Sequence, residues 1–246
     1  MNAFLNFLKP TWLKLLFLVE LPAFLIIELL SKGITALENG YIFLLPLGLY
    51  YLIACSAIYL HKSGKLLDHM WKGFALAVFF FLLDQGVKAA IWNIIPEGGY
   101  RPIVPGFLNL AHAQNTYGSW LFAKLEWDFI GAGFLIAFIF VFSFFTIAAY
   151  RYYTHTVRRS LLADLSFVFY LAAFMSAFID IAVRGFTIDF IQLPGYVTAD
   201  LKDIYLWFGT ACLLAETFDN PNNQWNMSFR DFGQAFVRML RYQVRR

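Results

Sequence analysis

The sequence predicts an all-α membrane protein of about six transmembrane helices with a short β-containing cradle on its extracytoplasmic side. Three observations carry that expectation. Of 246 residues, 60% are apolar and 14% charged, against about 45–50% and about 25% in ordinary soluble domains; so little polar surface could not cover a water-soluble globule of this length. The apolar residues gather into six windows, about 11–31, 41–60, 71–93, 126–150, 160–183 and 201–217, each near the roughly 20 residues needed to cross a bilayer. Turn-rich or charged stretches such as Ser31-Lys32-Gly33 and His61-Lys62-Ser63-Gly64-Lys65 separate them. The same composition excludes a disordered chain and a nucleic-acid binder, since the net charge is only +3. Cys55 and Cys212 both lie inside apolar runs, so no disulfide framework is implied.

The first window carries Glu20, Pro22 and Glu28 and is followed by no small-residue cleavage pattern, which favours a span over a cleaved leader. With the N-terminus cytoplasmic, thirteen Lys and Arg fall on the inside and five on the outside, and Lys88 within a helix completes the 19. Cytoplasmic loops hold the excess of basic residues, so both termini are expected to be cytoplasmic. The one long outside segment, residues 94–125, contains Pro96, Gly98, Gly99, Pro102, Pro105 and Gly106, then the alternating run Phe107-Leu108-Asn109-Leu110. This pattern predicts turns with one or two short strands. Beyond Ser228, apolar residues Phe229, Phe232, Phe236, Met239 and Leu240 recur at helical spacing with arginines opposite. They predict either an amphipathic helix on the inner leaflet or a basic tail that sets topology. Three regions result: a two-span extension over 1–65, a four-span core over 66–219 and a basic tail over 220–246.

Charged side chains inside a membrane cost about 2.5–3.5 kcal/mol on insertion scales, so those that occur usually have a task. In the third window Asp84 and Lys88 share a helix face and can neutralise one another; taken alone, that pair is structural support. The run Gln114-Asn115-Thr116-Tyr117-Gly118-Ser119-Trp120 offers an amide and a small-residue turn to a peptide backbone, or is an ordinary turn. The fifth window closes on Asp180, followed by Arg184-Gly185 and Asp189; the sixth opens on Asp200-Leu201-Lys202-Asp203. These acids fall at the outer ends of neighbouring helices, where two carboxylates can meet at one depth. Two facing carboxylates out of water share a proton. The ionised one can take a proton from water while the protonated one polarises a peptide carbonyl. Competing chemistries lack parts: His61, His69, His112 and His155 show no zinc-binding His-Glu-x-x-His spacing, and there is no Gly-x-Ser-x-Gly and no Gly-rich phosphate loop.

The ordered set of motifs resembles signal peptidase II, the lipoprotein signal peptidase family. Asp84, Gln85 and Lys88 match its Asp-Gln-x-x-Lys; Phe107, Asn109, Leu110, Asn115, Gly118 and Trp120 match its second motif. Asp180, Gly185, Asp189 and Phe190 match the third, and Asp203 with Gly209 six residues later match the last. The similarity covers roughly residues 71–217. Departures from the family pattern are Ser176-Ala177 in place of Gly-Asn, Ile181 in place of Arg, Asp200 in place of Asn and Lys202 in place of Ala.

The resemblance implies an aspartic endopeptidase of a bacterial cytoplasmic membrane that removes signal peptides from diacylglyceryl-modified prolipoproteins, with its site on the extracytoplasmic side. It implies Asp180 and Asp203 as the catalytic pair, and Asn115, Gly118 and Trp120 as contacts to substrate. Asp84, Gln85, Lys88, Asp189, Asp200 and Arg184 would be supporting residues, with no metal or organic cofactor. A helix beginning at Leu201 would also make Asp200 its N-cap and Asp203 its third residue, close to a capping box. A catalytically inactive or inhibitor-binding paralogue and a small multi-pass transporter are the alternatives.

Overall fold

The computed structural model describes residues 6–20, 44–61, 66–117, 131–195, 197–219 and 229–244. They form α1 (Trp12–Leu16), α2 (Leu44–His61), α3 (Met70–Ile94), β1 (Tyr100–Val104), β2 (Leu108–Asn115), α4 (Ala132–Thr156) and α5 (Leu161–Ile179), then β3 (Thr187–Leu193), β4 (Val197–Ala199), α6 (Leu201–Asp219) and α7 (Phe229–Val244). A π-turn over Asp180–Arg184 prolongs α5. The protein is thus mostly helical with a small sheet. Among the described residues, three helices, α3, α4 and α5 with its π-turn, are long and apolar enough to cross a membrane. Helix α6 is 19 residues long, but Lys202, Asp203, Glu216 and Asp219 occupy its ends and shorten its apolar centre. Only the first part of the 11–31 window lies among the described residues.

Helix α5 is the centre of the bundle, packed against α3, α4 and α6. Its small residues Ala172 and Ala173 are buried with Ala77 of α3 and Tyr205 of α6. By contrast, α3 and α4 expose large apolar side chains such as Phe79, Leu82, Phe134 and Phe140, the surface expected of helices that face lipid. Close approach of α3 to α5 depends on Gly73, where an added Cβ would meet the Phe167 ring at 2.8 Å. That ring cannot easily yield, because Tyr150 stacks on it at 4.1 Å and Phe74 meets it edge-on. Residues of the N-terminal region join the same bundle: Phe17, with Ala54, Ala57 and Ile58 of α2, buries against Leu162, Ala211, Cys212 and Ala215. Both cysteines are buried free thiols.

The four strands form one antiparallel sheet in the order β1-β2-β3-β4. β1 and β2 are the strands expected in the long segment after α3. β3 and β4 were not expected; residues between the fifth and sixth windows fold into a hairpin through Pro194-Gly195, with Gly195 at φ 81°. Their alternating, β-branched run Thr187-Ile188-Asp189-Phe190-Ile191 suits a strand, and Ile188 and Phe190 bury against Ile91 and Ile95 at the end of α3. The β2–β3 register places Asn115 opposite Thr187 and Ala113 opposite Asp189. The sheet therefore caps the same end of the bundle at which α3, α5 and α6 present their acids. At that end α5 leaves the membrane span through the π-turn, which Gly185 closes by donating to the carbonyls of Asp180 and Ile181. Gly185 has φ 78°, a conformation that glycine adopts without a Cβ penalty. Helix α7 lies against α4, where Gln243 accepts from Arg151 and donates to the Ala148 carbonyl.

Candidate active site

Lys88 is the hub. Its ammonium lies 2.7 Å from Asp84, 2.6 Å from Asp180 and 2.6 Å from Asp200, and all four side chains are fully buried. Helical spacing aligns Asp84 with Lys88 on α3; packing of α3 on α5 brings Asp180, and the start of α6 brings Asp200. One oxygen from each of the three acids lies within 4.8 Å of the others. Such carboxylates repel strongly out of water, and a buried charge is tolerated only when paired and hydrogen-bonded.

Most of the remaining lone pairs have partners, Asp84 Oδ1 being the exception. Gln85 donates to Asp180 at 3.0 Å and to Ser176 at 3.0 Å, and Ser176 donates to Asp84. Arg184 lies 2.6 Å from the same Asp180 oxygen as Gln85, the one Lys88 leaves free, and donates to Gln85 at 2.9 Å. The guanidinium reaches back because the π-turn sets Arg184 beneath the last carboxylate of α5. Ser176 thus supplies a hydroxyl to Asp84 and Arg184 a cation to Asp180.

A second group is built on Lys202. It pairs with Asp200 at 2.5 Å and lies 3.8 Å from both Asp189 and Asp203. Asp189 accepts from Asn115 at 2.9 Å and from Thr187 at 3.0 Å, and Asn115 also accepts from the Tyr117 amide. Burial pushes the Asp189 carboxyl above the usual range, although the nearby Lys202 opposes it. Burial acts likewise on Asp200, but there Lys202 and Lys88 more than offset it and hold the carboxyl below the usual range.

Asp200 and Asp203 also form the reciprocal cap of α6. Asp200 accepts from the Asp203 amide at 3.1 Å, and Asp203 accepts from the Asp200 amide at 3.3 Å. This is the capping-box arrangement, which satisfies two otherwise orphaned donors. The Asp203 side chain is 30% exposed, whereas that of Asp200 is wholly buried.

Of the residues expected from the sequence, Asp84, Gln85, Lys88, Asp180 and Arg184 come together in the first group. Asn115, Asp189 and Asp203 are in the second, and Asp200 belongs to both. Gly118 and Trp120 lie outside the described residues. Ser176 was not expected at the site, and Lys202 was expected only as one of the groups, with Arg184 and Asp200, that could rebuild supporting hydrogen bonds. Ser176 looked like a departure from a motif, and only the packing of α3 on α5 turns its hydroxyl toward Asp84. Lys202 was legible as a cation beside two acids, but not as a buried one.

A cavity of about 240 Å³ opens beside the hub, lined by Lys88, Ala89, Trp92, Asn93, Arg184 and Ile188. A peptide bond entering there would reach the Lys88 and Arg184 side of Asp180. The acidic groups Asp84/Asp180/Asp200 and Asp189/Asp200/Asp203 have the spacing of cation sites, but each already encloses a lysine ammonium. The donor set therefore fits internal cations. Five carboxylates face three cations (Lys88, Arg184 and Lys202) among the described residues, so the site favours retaining protons. That is the condition under which one acid of a pair can serve as base and another as acid.

Comparison with known proteins points the same way. Residues 76–219 match the family model for signal peptidase (SPase) II. A lipoprotein signal peptidase of Tolumonas auensis is 31% identical over 166 residues, covering 63% of this chain and 93% of that protein. One from Aeromonas hydrophila subsp. hydrophila is 24% identical over 171 residues, covering 64% of this chain and 91% of its own length. A solved structure described as a bacterial membrane enzyme superposes with a TM-score of 0.52 at 19% identity, covering 67% of this chain and 97% of that one, which establishes the shared fold.

Proposed function

The chain belongs to the signal peptidase II family, and on that premise we propose that it removes signal peptides from lipoprotein precursors through an aspartate pair. The substrate is a diacylglyceryl-modified prolipoprotein that reaches the site within the bilayer. The observation that carries the reading is the enclosure of Asp180 and Asp200 on either side of one buried ammonium, Lys88, next to an open cavity.

Asp180 is one acid, as the sequence suggests. For its partner we favour Asp200 over Asp203, because Asp200 shares Lys88 with Asp180. The spacing from Asp203 to Gly209 and the greater exposure of Asp203 favour the second reading, in which Asp203 is the partner. In either case the chemistry is the same. The ionised member of the pair takes a proton from water as the water attacks the scissile carbonyl carbon. The protonated member donates a hydrogen bond to the carbonyl oxygen and then supplies the proton that the departing amine needs. Lys88, Asp84, Gln85 and Arg184 hold the pair, and Asn115, with Gly118 and Trp120 further along the chain, would hold the substrate backbone. No metal or organic cofactor takes part in this scheme.

The site would lie on the extracytoplasmic side of a bacterial cytoplasmic membrane, with both termini cytoplasmic. The basic residues support this, since Arg158 and Arg159 lie at the end of the bundle opposite the aspartates. The test is incubation of the purified full-length protein with a diacylglyceryl-modified prolipoprotein. Cleavage immediately before the modified cysteine is expected; an intact precursor after prolonged incubation with folded protein would contradict the proposal.

A further inference from the structure

We propose that a cavity at the end of the bundle opposite the aspartates binds the phosphate of an anionic phospholipid headgroup. The cavity holds about 200 Å³ and lies where α3 begins, α4 ends and α5 begins. Asp68, His69, Tyr150, Thr154, His155 and Arg159 stand in its wall. Its volume is below the about 300–1,000 Å³ of pockets that take drug-sized molecules, and it suits a small polar group.

The wall is fastened in place. Fully buried Asp164 accepts from the Leu66 and Leu67 amides at 2.9 and 2.8 Å and from the Tyr150 hydroxyl at 2.7 Å. Those bonds tie the segment before α3 and the end of α4 to the first turn of α5. Arg159 adds a bond to the Asp68 carbonyl at 2.6 Å. The two acids nearest the cavity are therefore engaged: Asp164 lies behind the wall with three donors, and the Asp68 carboxylate faces Lys72 at 3.1 Å.

What the cavity offers a ligand is donors. A guanidinium carries five N–H donors, and among the described residues Arg159 commits one of its nitrogens, to Asp68. The imidazoles of His69 and His155 are exposed and make no hydrogen bond among the described residues. Each can donate an N–H in either protonation state. His69 also precedes the first turn of α3 without a side-chain capping bond. A tetrahedral oxyanion, which accepts on several sides, matches this set; Arg159 supplies the charge-assisted contact.

Depth in the membrane selects the source of that oxyanion. Trp71 in the first turn of α3, Tyr59 in the last turn of α2 and Trp12 are all exposed at this end. Trp12 is placed there by its edge-on contact with Phe218 near the end of α6. Exposed Trp and Tyr gather at headgroup level. Helix α7 brings the Tyr242 ring to 6.1 Å from His155 and leaves Arg238 and Arg241 exposed beside it. A basic pocket between spanning helices at this depth takes an anionic headgroup, delivered from the bilayer and not from solution.

The experiment titrates the purified full chain in detergent with phosphatidylglycerol, phosphatidylcholine or inorganic phosphate and counts retained ligand by native mass spectrometry. Wild type is expected to retain phosphatidylglycerol saturably and at least about tenfold more tightly than phosphatidylcholine. Arg159→Gln should weaken that retention at least about tenfold, the loss that follows from one hydrogen bond to a charged group. Should Arg159→Gln fail to accumulate, His155→Leu decides, since it breaks no hydrogen bond among the described residues; it should weaken retention about threefold or more. Equal retention of the two lipids would overturn the proposal, as would a preference for phosphatidylglycerol that survives both substitutions. Inorganic phosphate retained where phosphatidylglycerol is not would overturn the assignment to a lipid.

Discussion

Two polar clusters close the two ends of the α5–α6 pair, and they are built on opposite plans. At one end, Glu216 takes Arg158 at 2.6 Å and Ser160 at 2.6 Å, with the Tyr153 hydroxyl as a further donor. Asp219 beside it takes Arg158 at 3.0 Å and His61 at 2.9 Å. The cluster is partly open to solvent, since Arg158 is 27% and Asp219 30% exposed. Its acids are matched by nearby donors, and its effect is to lock α2, α4, α5 and α6 together. At the other end Asp84, Asp180, Asp200 and Lys88 are all fully buried, and carboxylates outnumber cations.

The contrast separates a structural cluster from a chemical one. Buried charges that merely hold helices together are often no better than well-packed apolar residues. A surplus of carboxylates in a dry site is therefore poor design for stability and good design for moving protons.

The comparison breaks most readily at Lys88. Its replacement by Met leaves three buried acids facing one another, so the largest effect is expected there. Cleavage should fall by more than about a thousandfold, the range set by general acid–base catalysis. Stability should fall by about 3–5 kcal/mol, as when one partner of a buried pair is removed. Both are measured on purified protein, by precursor turnover and by thermal unfolding in detergent. Turnover within tenfold of wild type would make the two clusters equivalent.

At the opposite end Glu216→Gln keeps the shape of the side chain and removes its charge. A loss of about 1–3 kcal/mol is expected from the hydrogen bonds left imperfect, with unchanged cleavage per folded molecule. A matching fall in kcat would show that the structural cluster is coupled to the chemistry. The smallest effect belongs to Asp219→Asn, where solvent screening limits the ion pair to about 0–1 kcal/mol. A larger loss, read in the same unfolding experiment, would mean that this end is drier than its exposure indicates.

The depth to which the sequence could be read differed between these regions. The i,i+4 spacing of Asp84 and Lys88 announced their pair, and the break in hydrophobicity after Asp180 located the end of α5. That Lys88 serves three acids rather than one depends on contacts with Asp180 and Asp200, about 90 and 110 positions further along the chain, which no local pattern records. The same limit applies to the cap of α6. The register of Asp200 and Asp203 was visible as a capping box, but their different depths come from the tertiary arrangement, which buries one against Lys88 and leaves the other at the rim. The hairpin β3–β4 went unseen because its short strands lie between two apolar windows, although the alternation from Thr187 to Phe190 and the Pro194-Gly195 turn carried a signal. Amphipathic spacing in the tail was legible, and the helix Phe229–Val244 follows it.

The central claim is that Asp200 is the partner of Asp180, and a pair of conservative substitutions tests it directly. Asn caps a helix as well as Asp does, so neither Asp200→Asn nor Asp203→Asn should unfold α6. Cleavage of a diacylglyceryl-modified prolipoprotein by the two purified variants is the measurement. Asp200→Asn should abolish turnover while accumulating in the membrane at the wild-type level, and Asp203→Asn should retain cleavage within about tenfold, since it keeps the cap and removes only a partly exposed charge 3.8 Å from Lys202. An active Asp200→Asn beside an inactive Asp203→Asn would contradict the account and make Asp203 the second acid.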